Sequence, residues 1–202
     1  MDRIVFAGDS VTDMGSVNPV GEGLFDNLGH SYVRIIENLL AALYPEVHLR
    51  ITNCGISGNT SRDLLARWER DVCALNPQWV SICIGINDVW RQFDSPAMPD
   101  QMVPPEEYRE NIRKMILTEK PHVKGIILMT PYYMDRMQAT SCAREWMNMA
   151  RSARSSRQNT AAYSSICRRC SANTALFGIR LILRGTVCIR TRSARRLSHW
   201  NG

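Results

Sequence analysis

Residues 3–10, Arg3-Ile4-Val5-Phe6-Ala7-Gly8-Asp9-Ser10, decide the fold. Ile4 to Ala7 is an apolar run too short for a helix, and Gly8-Asp9 stops it with a turn signal, so it reads as a strand ending in a sharp turn. A strand that is apolar on both faces needs cover on both faces, which is the condition of a parallel sheet between helices. The pattern recurs downstream. Val47 to Thr52, the almost wholly apolar Trp79 to Ile84, and Gly125 to Thr130 predict three further strands. Amphipathic stretches separate them. Residues 31–43 put Tyr32, Ile35, Ile36, Leu39, Leu40 and Leu43 on one helical face before Pro45. Thr60 to Leu75 does the same with Leu64, Leu65, Trp68, Val72 and Leu75, and Glu106 to Glu119 lies between prolines. The expectation is an α/β fold with a parallel sheet, whose sites lie at the carboxyl ends of the strands.

The chain has 202 residues, 45% apolar and 22% charged, which suits one ordinary globular domain. No apolar run approaches the roughly 18 residues of a membrane helix, and the start lacks the flanks of a signal peptide. Seven cysteines, an odd number, therefore read as reduced thiols of a cytoplasmic protein. The net charge of +6 hides a split. Residues 1–139 hold 13 Lys+Arg against 18 Asp+Glu, a net −5, while residues 140–202 hold 12 Arg, no Lys and one acid, Glu145, a net +11. The chain changes character near residue 138.

Three strand ends carry polar residues. Gly8-Asp9-Ser10 places a hydroxyl at the carboxyl edge, although a Ser in such a turn is commonly a cap. Asn53-Cys54-Gly55-Ile56-Ser57-Gly58-Asn59-Thr60 follows the second strand, and its glycines let a backbone N–H approach a ligand, or simply make a turn. Gly85-Ile86-Asn87-Asp88 follows the third and brings a carboxamide, or an Asx-turn. Separately the bland readings win. Together the three ends supply a nucleophile, a backbone donor and a side-chain donor, which is what acyl transfer requires.

These blocks, in this order, resemble the SGNH (GDSL-type) serine hydrolases. Ser10 in GDSV matches the family's nucleophile, and its own N–H would join the oxyanion hole. Gly58 in ISGNT matches the backbone donor and Asn87 in GIND the side-chain donor. The wider text, GDSVTDMG, GISGNTSRDLLARWERDV, WVSICIGINDVWRQFD and VKGIILMTPYYM, is similar to the intracellular acetylxylan esterases of that family. The resemblance covers about residues 1–137. It implies a three-layer α/β/α, flavodoxin-like fold, removal of O-acetyl groups from xylo-oligosaccharides through an acyl-serine, and no cofactor or metal. Asp9, Trp90 and Arg91 are the candidate substrate contacts.

One part of the family's site is missing. The family completes it with an Asp-x-x-His near the C-terminus, where His deprotonates the serine and Asp orients the His. The four histidines here are His30, His48, His122 and His199, and none has Asp three residues before it. His199, preceded by Arg196, is a candidate base only by default.

The genetic code supplies a reason. If the gene is read one base earlier, Trp146-Met147-Asn148-Met149-Ala150 becomes (M or V)-D-E-(Y or H)-G, in which D-E and G are forced. Residues 158–166 can become A-E-(H or Y)-G-C-L-F-V-D, the end of a helix and a fifth strand. Residues 182–191 can become D-S-A-W-D-R-V-H-P-N, which contains the missing D-x-x-H. The expectation is an SGNH domain over 1–137 followed by a tail, 138–202, produced by a one-base slip near residues 134–140. Such a tail packs poorly, although Leu176 to Val187 suits the place of the fifth strand.

Two rivals stand beside this reading. Taken at face value, the tail's arginines with Cys167, Cys170, Cys188 and His199 suggest a nucleic-acid arm with zinc. One C-x-x-C without a spaced second pair and no aromatic interleaving argue against it. A non-catalytic SGNH domain that only binds acetylated sugar is the other. No membrane partner is expected, and homo-oligomerisation is left open.

Overall fold

The computed structural model describes residues 1–94, 99–131 and 189–190. Its elements in chain order are β1 (Asp2–Gly8), α1 (Ser10–Asp13), β2 (Gly21–Glu22), α2 (Tyr32–Leu43), β3 (Leu49–Gly55), α3 (Ser61–Ala66), α4 (Trp68–Asp71), β4 (Trp79–Cys83), α5 (Ile86–Asp94), α6 (Pro105–Glu119), β5 (Gly125–Leu128) and β6 (Ile189–Arg190). The sheet order is β2-β3-β1-β4-β5-β6. The β1–β3, β1–β4 and β4–β5 pairs are parallel, and only the edge pairs β2–β3 and β5–β6 are antiparallel.

The period-two geometry of a strand explains the layers. Along β1, Ile4 and Phe6 face the cluster made with Leu28, Val33, Ile36 and Leu40, so α2 covers that side. Val5 and Ala7 face the opposite cluster, with Leu64, Trp68, Val72, Tyr108, Ile112, Met115 and Ile116. That side is covered by α3, α4 and α6, which completes the expected three-layer α/β/α arrangement around a mostly parallel sheet.

Three details differ from the sequence-based expectation. The helix expected over Thr60 to Leu75 is split into α3, α4 and a short 3-10 turn at Cys73–Leu75. The first break falls at Arg67 (φ −103, ψ 3), whose guanidinium turns inward toward backbone carbonyls that a solvated arginine would not meet. A helix expected nowhere, α5, follows β4, with Ile86, Val89, Trp90 and Phe93 at helical spacing. The described residue pair beside β5 is Ile189–Arg190, antiparallel to it. Leu176 to Val187, the expected occupant of that place, lies outside the described residues, as does the rest of the tail.

Candidate active site

The carboxyl ends of β1, β3 and β4 meet, and hydrogen bonds join their turns. Ser10 opens α1, is exposed, and its hydroxyl makes no hydrogen bond within the described residues. Ile56 N–H after β3 donates to Gly8 O at the end of β1 (3.1 Å). Asn87 Nδ2, in the first turn of α5, donates to Asn59 O (2.9 Å). That bond occupies one N–H of the carboxamide and leaves the other for a ligand. Gly58 lies between these contacts at φ +83, a left-handed conformation that favours glycine.

Three buried aspartates hold the turns. Asp9 caps α1 by accepting from Val11 N–H (3.0 Å), and the nearby Gly85 N–H after β4 also favours its charged form. Asp13 accepts from the N–H (3.0 Å) and hydroxyl (2.6 Å) of Ser57, linking α1 to the loop after β3. Asp88 accepts from Ser61 N–H at the start of α3 (2.9 Å) and from its hydroxyl, while Asn111 Nδ2 holds that hydroxyl from α6 (3.1 Å).

Burial, with Asp88 nearby, pushes the Asp9 carboxyl up to about 7. Burial likewise raises Asp88 to about 6, against the opposing bonds from Ser61. Burial also acts to raise Asp13, but the bonds from Ser57 and Ser16 outweigh it and hold its value below 3.8.

Arg67 braces this edge from beneath. Its side chain is 7% exposed and donates to Gly8 O (3.2 Å), Cys54 O (2.9 Å) and Asn59 Oδ1 (2.7 Å), with Asp71 as its counter-ion (3.3 Å). Sequence reasoning missed Arg67, Asp13 and Asp88. The available signal for Arg67 was a charge three residues after Leu64 on the stripe taken for core.

The other candidates fall as follows. Trp90 is half exposed on α5, and Arg91 reaches to 3.8 Å from where a Cβ on Gly58 would lie. Asp9, expected as a substrate contact, is instead buried at 2% exposure with its carboxylate engaged by backbone N–H groups. His48 and His122 precede β3 and β5, at the edge opposite Ser10. His30 follows the β2 loop, its N–H on Met14 O (2.9 Å), with no bond to Ser10. His199, Cys167, Cys170 and Cys188 lie outside the described residues. Among the described residues no three His, Cys, Asp or Glu side chains are grouped to hold a metal, and no helix is long and apolar enough to cross a membrane.

Comparison with known proteins sets this geometry in context. The GDSL-like lipase/acylhydrolase family matches residues 6–187, further than the 137 at which the quoted motifs stop. An acetylxylan esterase of Geobacillus stearothermophilus is 55% identical over 134 residues, and the chain spans 61% of that relative's length. The matching part is 66% of this chain. A crystal structure of an acetylxylan esterase from the same organism superposes with TM-score 0.76 at 48% identity, over 79% of this chain and 73% of that one. A hydrolase from the metagenome of Lake Arreo, Spain, superposes with TM-score 0.75 at 42% identity, over 78% and 73%. Solved structures of the Geobacillus esterase include catalytic mutants in which a serine, an aspartate or a histidine is replaced by alanine.

Proposed function

The chain belongs to the GDSL-like lipase/acylhydrolase family, and on that premise we propose that its fold is built to remove O-acetyl groups from xylo-oligosaccharides. The observation that carries the reading is the junction of three turns at one sheet edge, which brings the exposed Ser10, Gly58 and the Asn87 carboxamide to the carboxyl ends of β1, β3 and β4. Ser10 Oγ gives its proton to a base and attacks the acetyl carbonyl. The ester C–O bond breaks as the base returns that proton to the departing sugar oxygen, and water then releases acetate from the acyl-serine. The N–H groups of Ser10 and Gly58 and the second N–H of Asn87 Nδ2 receive the oxyanion charge. Trp90 and Arg91 border the sugar, next to Gly58. The substrate class follows the similar Geobacillus protein, described as an acetyl-xylooligosaccharide esterase. A reducing, cytoplasmic setting is the expectation supported by the odd cysteine count and by Cys54, Cys73 and Cys83, which are free thiols among the described residues.

The base is the missing part, and we propose that a one-base slip removed it. Counted from the catalytic serine, the aspartate and histidine mutated in the Geobacillus esterase stand as far along that chain as positions 186 and 189 stand from Ser10. In the shifted reading, positions 186 and 189 are the D and H of W-D-R-V-H-P. A tryptophan that has been mutated in the relative directly precedes its aspartate, as W directly precedes D in the shifted reading. The agreement supports domain boundaries of 1–137 for the hydrolase body and 138–202 for an out-of-frame tail.

Without the base, Ser10 stays a neutral hydroxyl. Loss of a triad base costs on the order of 10⁶ in kcat, with roughly 10³–10⁴ over water remaining from the donors and binding. The test is to sequence the gene across codons 134–140 and express both reading frames. Acetate release is then measured from an aryl acetate and from acetylated xylo-oligosaccharides. The restored frame should turn over and lose activity with Ser10→Ala. Equal turnover by the chain as written would point to another base, such as His199, and remove the slip from the account. Zinc content with salt-dependent RNA binding would favour the nucleic-acid reading of the tail instead.

A further inference from the structure

The Asp13 carboxylate has no role in the proposed chemistry, yet it is buried at 4% exposure and saturated with donors. Oδ1 accepts from Ser16 N–H (3.1 Å) and Ser16 Oγ (3.0 Å), which fixes its rotamer. Oδ2 accepts from Ser57 N–H (3.0 Å) and Ser57 Oγ (2.6 Å). Ser10 and Asp13 open and close the single turn of α1, which is closed by Met14 N–H on Ser10 O (3.1 Å). Ser57 directly precedes Gly58. The hydroxyl of Ser10 and the N–H of Gly58 are thus joined through one helical turn, one carboxylate and one peptide unit.

We propose that Asp13 is a positioning residue that sets the Gly58 N–H at a fixed place relative to the Ser10 hydroxyl. The proposal rests on reading Ser10 and Gly58 as nucleophile and donor. The loop from Ile56 to Asn59 is held at its root by Ile56 N–H on Gly8 O (3.1 Å) and at its far end by Asn87 Nδ2 on Asn59 O (2.9 Å) and Arg67 Nε on Asn59 Oδ1 (2.7 Å), with an internal turn bond, Asn59 N–H on Ile56 O (3.2 Å). A loop held only at its two ends leaves the peptides between them free to rock. The Asp13 tether at Ser57, between those ends, removes that freedom at the peptide next to Gly58 and makes it move with α1. The backbone contact is close enough to enforce this: a Cβ on Gly55 would lie 2.4 Å from Asp13 N, so α1 rests directly on the end of β3. An oxyanion donor acts only where charge develops, and a misplacement of about 1 Å can cost on the order of 10²-fold in rate.

Asp13→Ala, Ser57→Ala and the surface control Glu110→Ala separate positioning from general support. The first readout is amide hydrogen exchange in the full chain as written, which needs no turnover. Asp13→Ala should speed exchange at the Asn59 amide at least about tenfold, a bond Asp13 does not touch, while amides of β1 and β4 stay protected. Unchanged exchange at Asn59 would overturn the proposal, and so would equal acceleration throughout the sheet, which marks a merely structural role. The second readout is kinetic, in whichever reading frame releases acetate. Asp13→Ala should lower kcat by about 10–10² with KM little changed, and Ser57→Ala, which keeps the backbone tether, should lose far less. A loss confined to KM would also overturn it. If neither frame releases acetate, the esterase reading fails, while the exchange measurement still decides whether Asp13 sets the loop.

Discussion

Arg67 is the residue whose removal should damage the site edge most. Its guanidinium holds the last carbonyl of β1, a carbonyl near the end of β3 and the side chain of Asn59, three acceptors brought together by separate segments. Hydrogen bonds to a charged donor are worth about 1.5–3 kcal/mol each, but Gly8 O keeps its second donor, Ile56 N–H, so the bonds do not simply add. Asp71 would not be stranded, because Arg70 also pairs with it (2.6 and 3.1 Å). The expected cost of Arg67→Ala is therefore about 3–6 kcal/mol, that of the two remaining bonds to Cys54 O and Asn59 Oδ1. Arg67→Lys should recover less than half of it, since one ammonium cannot fork across acceptors on three segments. Urea unfolding measures both, as a fall in the midpoint with an unchanged slope. A loss below about 1 kcal/mol for alanine, or full recovery by lysine, would refute the bracing role.

The raised values of Asp9 and Asp88 set a pH dependence. Both bind protons more tightly folded than unfolded, so their contribution is fully present below the unfolded value near 3.8 and is lost as pH rises through about 6 to 7. The melting temperature should fall between pH 5 and 8, and Asp9→Asn should flatten that fall; a rise with pH would contradict it. Gly55→Ala drives a methyl against the Asp13 and Thr12 backbone and should destabilise by about 1–3 kcal/mol, read by thermal melting, with α1 displaced. Asn87→Ala in the restored frame should cut kcat by about 10²–10³, measured as acetate release, as expected for one lost oxyanion donor.

The strands and the three site turns were legible because their signals are local. Ile4 to Ala7 is apolar without interruption, and Ser10, Gly58 and Asn87 lie within four residues of a strand's end. Period and turn chemistry need no knowledge of partners. What was illegible depends on partners. Arg67 sits on an apolar stripe, and nothing local says that carbonyls of β1 and β3 wait beneath it. Asp9 was a candidate substrate contact, and nothing in the sequence signals that its carboxyl is buried and caps α1 through the Val11 N–H. Helix α5 was missed for a different reason: the GIND segment fitted a turn so well that the spacing of Val89, Trp90 and Phe93 after it went unused.

The division of the site that we propose, between body and tail, would let a hydrolase fold lose its base while the described residues up to 131 keep their arrangement. The proposed nucleophile and donors all come from turns inside the first 94 residues, held together by Asp9, Asp13 and Asp88 and braced by Arg67. None of these ties reaches beyond α6. The donors are therefore preorganised by contacts that a change of frame after residue 134 leaves untouched. The base and its orienting acid, by contrast, come in this family from a D-x-x-H near the C-terminus, and must dock on an edge already formed. On the proposed reading, a slip in frame would remove proton transfer while leaving the proposed acetyl recognition to the body. That separation is why binding of an acetylated sugar and its turnover should part company in the chain as written and rejoin when the frame is restored.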